Sequence, residues 1–284
     1  INIIRETPAT ALIDGNNGMG HVISYKSMNI AIEKAKNIGI GMVAVKNSTH
    51  FGIAGYYGYM AAKENMIGIS GTNARPSIAP TFGVENMLGT NPLSFVMPSD
   101  EEFPFCFDAA TSVSQRGKIE YRARIGKKTP EGWVINEEGE YLTDSEQILK
   151  DLNAGKAAMV PLGGIGEDTA GYKGYGFATV VEILSSALQN GIYLKKLMGI
   201  ENGQKVPFRL GHFFIAINIA AFTEPENFKK TTGNILRELR NSKKMKGHNR
   251  IYTAGEKEYI IMQEREKTGI PINIELLEEL NNLA

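Results

Sequence analysis

Apolar residues along this chain fall in short runs bounded by glycine, asparagine and hydroxyl residues. Short apolar runs of this kind predict strands at 10–13, 40–45, 67–71, 93–97, 105–108 and 212–217, with 40–45 a buried one. Between several of them the apolar positions change to helical spacing. Tyr25, Met28, Ala31, Ile32 and Ala35 form one such stripe, and Ile53, Tyr56, Tyr57 and Met60 a second. Phe177, Val180, Val181, Leu184 and Leu188 form a third. Strands that alternate with amphipathic helices predict an α/β layered fold with helices on both faces of a sheet.

Two regions break that rhythm. Residues 118–151 are polar and rich in turns, and they predict an insertion in which Trp133 is a packing anchor. A long helix is expected over 225–242, with Phe228, Thr232, Ile235, Leu236 and Leu239 on one stripe and basic residues on a solvated opposite side. No sharp linker divides the chain, so 1–284 reads as one unit: an α/β core over 10–250 and a helical segment over 251–284. The first residues, Ile1-Asn-Ile-Ile, read as an element already in progress, as if a longer protein preceded them.

The 31 basic and 31 acidic side chains cancel, which argues against a nucleic-acid surface. No stretch approaches the roughly 18 apolar residues of a membrane span and no signal peptide opens the chain. The single cysteine, Cys106, fits a small buried side chain in a reducing compartment, hence a cytoplasmic location. Glycine is enriched, 31 of 284 residues, about 11% against an average near 7%. Many glycines fall at strand-to-helix turns, as expected where loops approach a ligand.

Five stretches carry candidate chemistry: 47–55, 71–76, 89–92, 108–112 and 171–176. His50 sits where a strand hands over to a glycine-punctuated helix, a position where α/β proteins collect ligands. A histidine there can move a proton on or off a substrate. Gly171-Tyr-Lys-Gly-Tyr-Gly176 places Lys173 at a helix start expected near Gly174, where a cation is unfavourable unless an anion is bound. Asp108 is suited to a ribose hydroxyl, to orienting a histidine, or to capping the next turn. Asn73 and Asn91 read either as turn residues or as amide donors to a substrate. His212 leans structural, and His21 and His248 read as surface positions. If the five stretches converge, with His50 and Lys173 bordering one cavity, they supply what a phosphate-bearing cofactor needs. No G-x-G-x-x-G follows the first strand, and there is no P-loop, serine elbow or paired metal-ligand spacing. A standard Rossmann dehydrogenase is therefore not described, and no metal is expected.

These motifs, together with Gly211-His-Phe-Phe214 and Gly255-Glu256, resemble in kind and order the malate/L-lactate dehydrogenase type 2 family. Arg75-Pro76, Pro130-Glu-Gly-Trp133 and Pro161-Leu-Gly-Gly164 look most like its archaeal-type malate dehydrogenases. The resemblance runs from about Thr10 to Leu283. It implies a non-Rossmann three-layer α/β/α fold on a mixed sheet, a homodimer, and hydride transfer between NAD or NADP and a small 2-oxo/2-hydroxy acid, malate/oxaloacetate first. His50 matches a histidine serving as proton donor and acceptor at the substrate oxygen. Cofactor contacts would come from His50, Phe51, Gly52, Ile53 and Ala54, from Ala74, and from Asp108, Ala109 and Ala110. Lys173, Gly174, Gly255 and Glu256 complete that set. Alternatives are a cyclic imino-acid reductase and a nicotinamide-binding protein without catalysis. The latter arises because family members carry an N-terminal Ser-His-Gly segment with a nearby arginine, which this sequence lacks. Ala109 also stands where a methionine often follows the aspartate.

Overall fold

The computed structural model describes residues 1–283. Its centre is a seven-stranded mixed sheet. The strands are β1 (Asn2–Glu6), β2 (Thr10–Asp14), β3 (Ile40–Ser48), β4 (Met66–Thr72), β5 (Leu93–Met97), β6 (Phe105–Ala109) and β11 (Leu210–Asn218), in the order β1-β2-β3-β11-β4-β5-β6. Only β2 and β3 pair in parallel; every other neighbour in this sheet is antiparallel. That pattern separates the fold from the parallel sheet of Rossmann proteins. The expected strands are all present, 93–97 with the same bounds. β1 runs along an edge with every residue exposed, so it leaves no buried apolar run to read.

Helices α1 (Gly20–Ile38) and α2 (Ala54–Lys63) cover one face and α5 (Gly171–Ser186) the other. The pleat of β11 shows the division. Phe214 and Ala216 join the core beneath α1 and α2, while a Cβ on Gly211 would lie 1.7 Å from the Ser185 carbonyl oxygen of α5. Val43, Val45, Met28 and Phe214 are fully buried in that core, each apolar side chain contributing about 1.5–3 kcal/mol. α1 stops at Gly39, whose left-handed backbone (φ 93°) lets its N–H reach the Ala35 carbonyl.

The stripes on α2 and α5 differ from those expected. Ala54, Gly55, Tyr57, Gly58 and Ala61 face the sheet from α2, whereas Ile53 and Tyr56 are exposed. In α5 the buried side is Gly174, Ala178, Val181, Glu182 and Ser185, while Phe177 and Val180, and Leu188 in the turn just beyond the helix, face outward. Close approach explains the difference. A Cβ on Gly58 would meet Val96 at 2.4 Å, so only a small residue lets α2 sit on the sheet.

The expected polar insertion is a folded lobe. α3 (Arg116–Arg124), β7 (Val134–Asn136), α4 (Ser145–Ala154) and β8 (Ala157–Met159) enclose Ile119, Val134, Ile148 and Met159, and this core continues onto Ile78, Leu88 and Ala178. Trp133 packs against it with Arg122 over its ring. A two-stranded ribbon, β9 (Ile200–Glu201) with β10 (Gln204–Lys205), precedes β11. α6 (Pro225–Asn241), α7 (Glu256–Thr268) and α8 (Ile274–Leu283) follow it. The basic side of α6 is not simply solvated, because Arg237 and Arg240 pair with Asp100 and Glu101. Ile235 and Leu239 face outward instead. Among the described residues no helix is long and apolar enough to cross a membrane.

Candidate active site

Strand direction gathers the candidate residues. β3, β4 and β6 end, and β5 and β11 begin, at one edge of the sheet, as the pairs Ser48–Leu210, Thr72–His212, Gly71–Leu93 and Leu93–Ala109 show. The loops after β2, β3, β4 and β6 therefore emerge together.

The loop after β2 is stapled to the one after β3. Asn47 donates its amide to Asp14 at 3.0 Å, and Asn17 N–H donates to the Asn47 carbonyl at 2.7 Å. Gly20 N–H donates to the Thr49 hydroxyl at 2.9 Å, and Thr49 in turn donates to the Gly18 carbonyl. His50 follows with its side chain exposed. Gly52, held at φ 81°, donates its N–H to His50 Nδ1 at 3.1 Å. Nδ1 is then the acceptor, so the neutral form of the ring carries its proton on Nε2.

A rigid floor lies beneath this turn. The Phe51 carbonyl accepts from the Tyr57 hydroxyl, and the Ala54 carbonyl from Ser70 at 2.8 Å. The Phe51 ring stacks on His212, centroids 4.8 Å apart. His212 is fully buried, its Nδ1 is 2.7 Å from the Thr72 hydroxyl, and its Nε2 has no hydrogen-bond partner among the described residues. Burial drives its pKa down to about 3, so the ring is neutral. The sequence reading of His212 as a structural residue agrees with this placement.

Asp108 approaches from β6, accepting from Gly55 N–H at 2.7 Å in the first turn of α2. It caps a helix 53 residues away in sequence rather than its own next turn. Partial desolvation, with Glu258 nearby, holds its carboxyl above the ordinary range, and the Gly55 bond works against that. Cys106, on the same side of β6, is enclosed by Gly55 and by Gly255, which has φ 91°. Burial pushes the Cys106 thiol to about 12, leaving it inert. His50–Ala54, Asp108 and Gly255 thus form one continuous group.

Backbone contacts lead from the end of β6 to the start of α5, where Lys173 lies. Beyond Ala109 and Ala110, the Thr111 carbonyl accepts from Leu162 N–H at 2.9 Å, and Gly174 packs on Leu162. Lys173 itself is exposed, on the α5 side of the sheet. α5 begins at Gly171, not near Gly174, and its first turn holds no acid and no side-chain cap. A Cβ on Gly171 would lie 2.0 Å from the Gly164 carbonyl oxygen, and one on Gly174 2.2 Å from that of Leu162. These two glycines serve helix–loop packing, in place of the expected approach to a ligand.

Three further expectations change. Asn73 and Asn91 are fully buried. Asn73 accepts from Gly211 N–H, while Asn91 accepts from Ala74 N–H and donates to the Ala178 carbonyl and to Glu182 at 2.9 Å. The Asn73 side-chain oxygen thus ties the end of β4 to β11 and the Asn91 amide ties the start of β5 to α5, while Asn73 Nδ2 has no hydrogen-bond partner among the described residues. Glu256, buried, accepts from Thr253 and pairs with Arg250 and Arg240. Burial alone would raise its pKa, but these partners outweigh burial and lower it. Its side chain is a structural anion, not an open cofactor contact.

One residue missed in the sequence stands in the group. His21, in the first turn of α1, has its ring centroid 6.5 Å from that of His50. The signal was its place after the carboxyl end of a strand parallel to β3, in a glycine-rich turn.

The profile of the family described as malate/L-lactate dehydrogenase matches residues 1–281. Malate dehydrogenase from Pyrococcus abyssi is 48% identical over 284 residues, all of this chain and 76% of that protein. The crystal structure of malate dehydrogenase from Entamoeba histolytica superposes with a TM-score of 0.96 at 49% identity, covering 99% of this chain and 78% of that one. Sulfolactate dehydrogenase from Methanocaldococcus jannaschii superposes at 0.81 with 36% identity, over 98% and 76% of the two chains. Fold and site define an oxidoreductase outside the Rossmann class. The chain belongs to the malate/L-lactate dehydrogenase family.

Proposed function

We infer that the chain transfers a hydride between NADH or NADPH and a small 2-oxo acid, with oxaloacetate and malate as its pair. The observation that carries this reading is His50: an exposed imidazole at the carboxyl end of β3 whose Nδ1 is occupied by the Gly52 N–H. The names of relatives that match the full chain at 47–48% identity support the substrate.

The residues present suit a nicotinamide dinucleotide. α5 begins without an acidic residue or a side-chain cap in its first turn, and Lys173 is an exposed cation there. Such a helix start favours an anionic phosphate, whereas the start of α2 already holds the Asp108 carboxylate. The second oxygen of Asp108 has no hydrogen-bond partner among the described residues, which suits a ribose hydroxyl. The backbone from His50 to Ala54, Ala74, Ala109 and Ala110 would line the dinucleotide, with Gly255 behind. The bound cofactor supplies the hydride. His50 holds a proton at Nε2 against the oxygen on which negative charge develops. Phe51, pinned by Tyr57 and stacked on His212, keeps that imidazole in place.

The exposed apolar residues of α5, among them Phe177, Val180 and Ile183, support a homodimer. A cytoplasmic location fits the unpaired, inert thiol of Cys106. The test is reduced-cofactor oxidation with a panel of 2-oxo acids and cyclic imino acids, using NADH and NADPH in turn. Oxaloacetate should give the highest kcat/KM. Preference for an imino acid would assign the reductase activity instead, and cofactor binding without turnover a non-catalytic role.

A further inference from the structure

His21 is left without work by the reaction just described. Its helix is pressed onto the His50 turn: a Cβ on Gly20 would lie 2.2 and 2.4 Å from the carbonyl oxygens of Thr49 and His50. Gly52 faces the His21 ring so closely that a Cβ there would be 2.7 Å from Nε2. The first turn of α1 contains no acidic residue. Both imidazoles are exposed, tilted 49° to each other, and neither bonds to a carboxylate among the described residues. Asp14, the acid in the adjoining loop, is already engaged by Asn47 and by Asn16 N–H. The His21 ring makes no hydrogen bond to any described residue.

Two imidazoles fixed side by side with no acid of their own suit a ligand that brings one. We propose that His21 is a specificity-determining residue, receiving the distal acidic group of a 2-oxo dicarboxylate whose carbonyl oxygen lies at His50. This rests on the reading of His50 given above. In a four-carbon substrate a single methylene separates the carbonyl carbon from that far carboxylate. Rings 6.5 Å apart, each reaching about 2.8 Å by a hydrogen bond, match so short a ligand. A monocarboxylate of the pyruvate type would leave His21 unused.

The experiment compares wild type with His21→Ala and His21→Asn, on oxaloacetate and on pyruvate, and adds calorimetry of L-malate binding to the protein saturated with NAD or NADP. Loss of a charge-assisted hydrogen bond should raise KM for oxaloacetate about 10- to 100-fold in the alanine variant. L-malate binding should weaken by the same factor, with kcat held within about threefold and pyruvate kinetics unchanged. Retention of part of the affinity by asparagine would support a hydrogen-bonding role. Unchanged oxaloacetate KM and malate affinity, an equal loss on pyruvate, or a fall in kcat alone would each overturn the proposal. Wild-type protein that binds malate but reduces no 2-oxo acid would instead remove the function assigned to His50.

Discussion

Two glycine-rich turns at the same end of the sheet use their glycines differently. Gly52 and Gly55, after β3, lie against polar side chains: the His21 ring and the Asp108 carboxylate. Gly171 and Gly174, at the start of α5, lie against the backbone of Leu162–Gly166. In sequence both turns announce a ligand. In three dimensions the first frames exposed imidazoles, and the second welds a helix to a loop and leaves Lys173 exposed over the Tyr172 ring. A glycine thus marks a close approach, and the atom it approaches decides whether the contact is chemical or mechanical.

The contrast is sharpest when each turn is altered at its key residue. His50→Ala should lower kcat with oxaloacetate about 10²–10⁴-fold with little change in melting temperature, since the side chain is exposed. Gly174→Ala should act in the opposite way, destabilising the fold by about 3 kcal/mol through overlap with the Leu162 carbonyl. Gly176→Ala, with no atom within 4 Å of the added carbon, should leave stability intact. Thermal denaturation of the pair checks this, and equal melting temperatures would mean that α5 is not welded there.

Buried His212, beneath the first turn, makes a pH-dependent prediction. Its pKa of about 3 in the fold compares with about 6.5 unfolded, so the unfolded chain binds the extra proton between these values. Its contribution is present above pH 6.5 and is lost as pH falls, by up to about 1.4 kcal/mol per pH unit. In urea titrations at pH 7 and pH 5, His212→Phe should lose less stability on acidification than wild type. Parallel losses would place the acid sensitivity elsewhere. The smallest effect belongs to Lys173→Ala, which should weaken NADH or NADPH binding about tenfold; unaltered affinity by fluorescence titration would free that lysine of a cofactor role.

How much the sequence discloses follows from how local each feature is. Strands such as 93–97 are legible because both bounds and burial are written in consecutive residues. Helix α1 shows its buried side through Met28, Ala31, Ile32 and Ala35 for the same reason, although Tyr25 of the expected stripe faces outward. The stripes of α2 and α5 mislead because the sheet selects glycine and alanine there, which pattern reading counts as weakly apolar. Asp108 capping α2, and Asn91 bound to Glu182 across 91 positions, depend on strand order that no local pattern encodes. His21 was legible only once β2 and β3 were known to run side by side.

The account stands most directly on where the dinucleotide lies. A crystal structure with NADH or NADPH bound should place the nicotinamide ring against His50 Nε2 and the diphosphate at Lys173, within one subunit or across a subunit contact. A cofactor found away from the carboxyl ends of β3 and β6, with His50 left facing solvent, would contradict it.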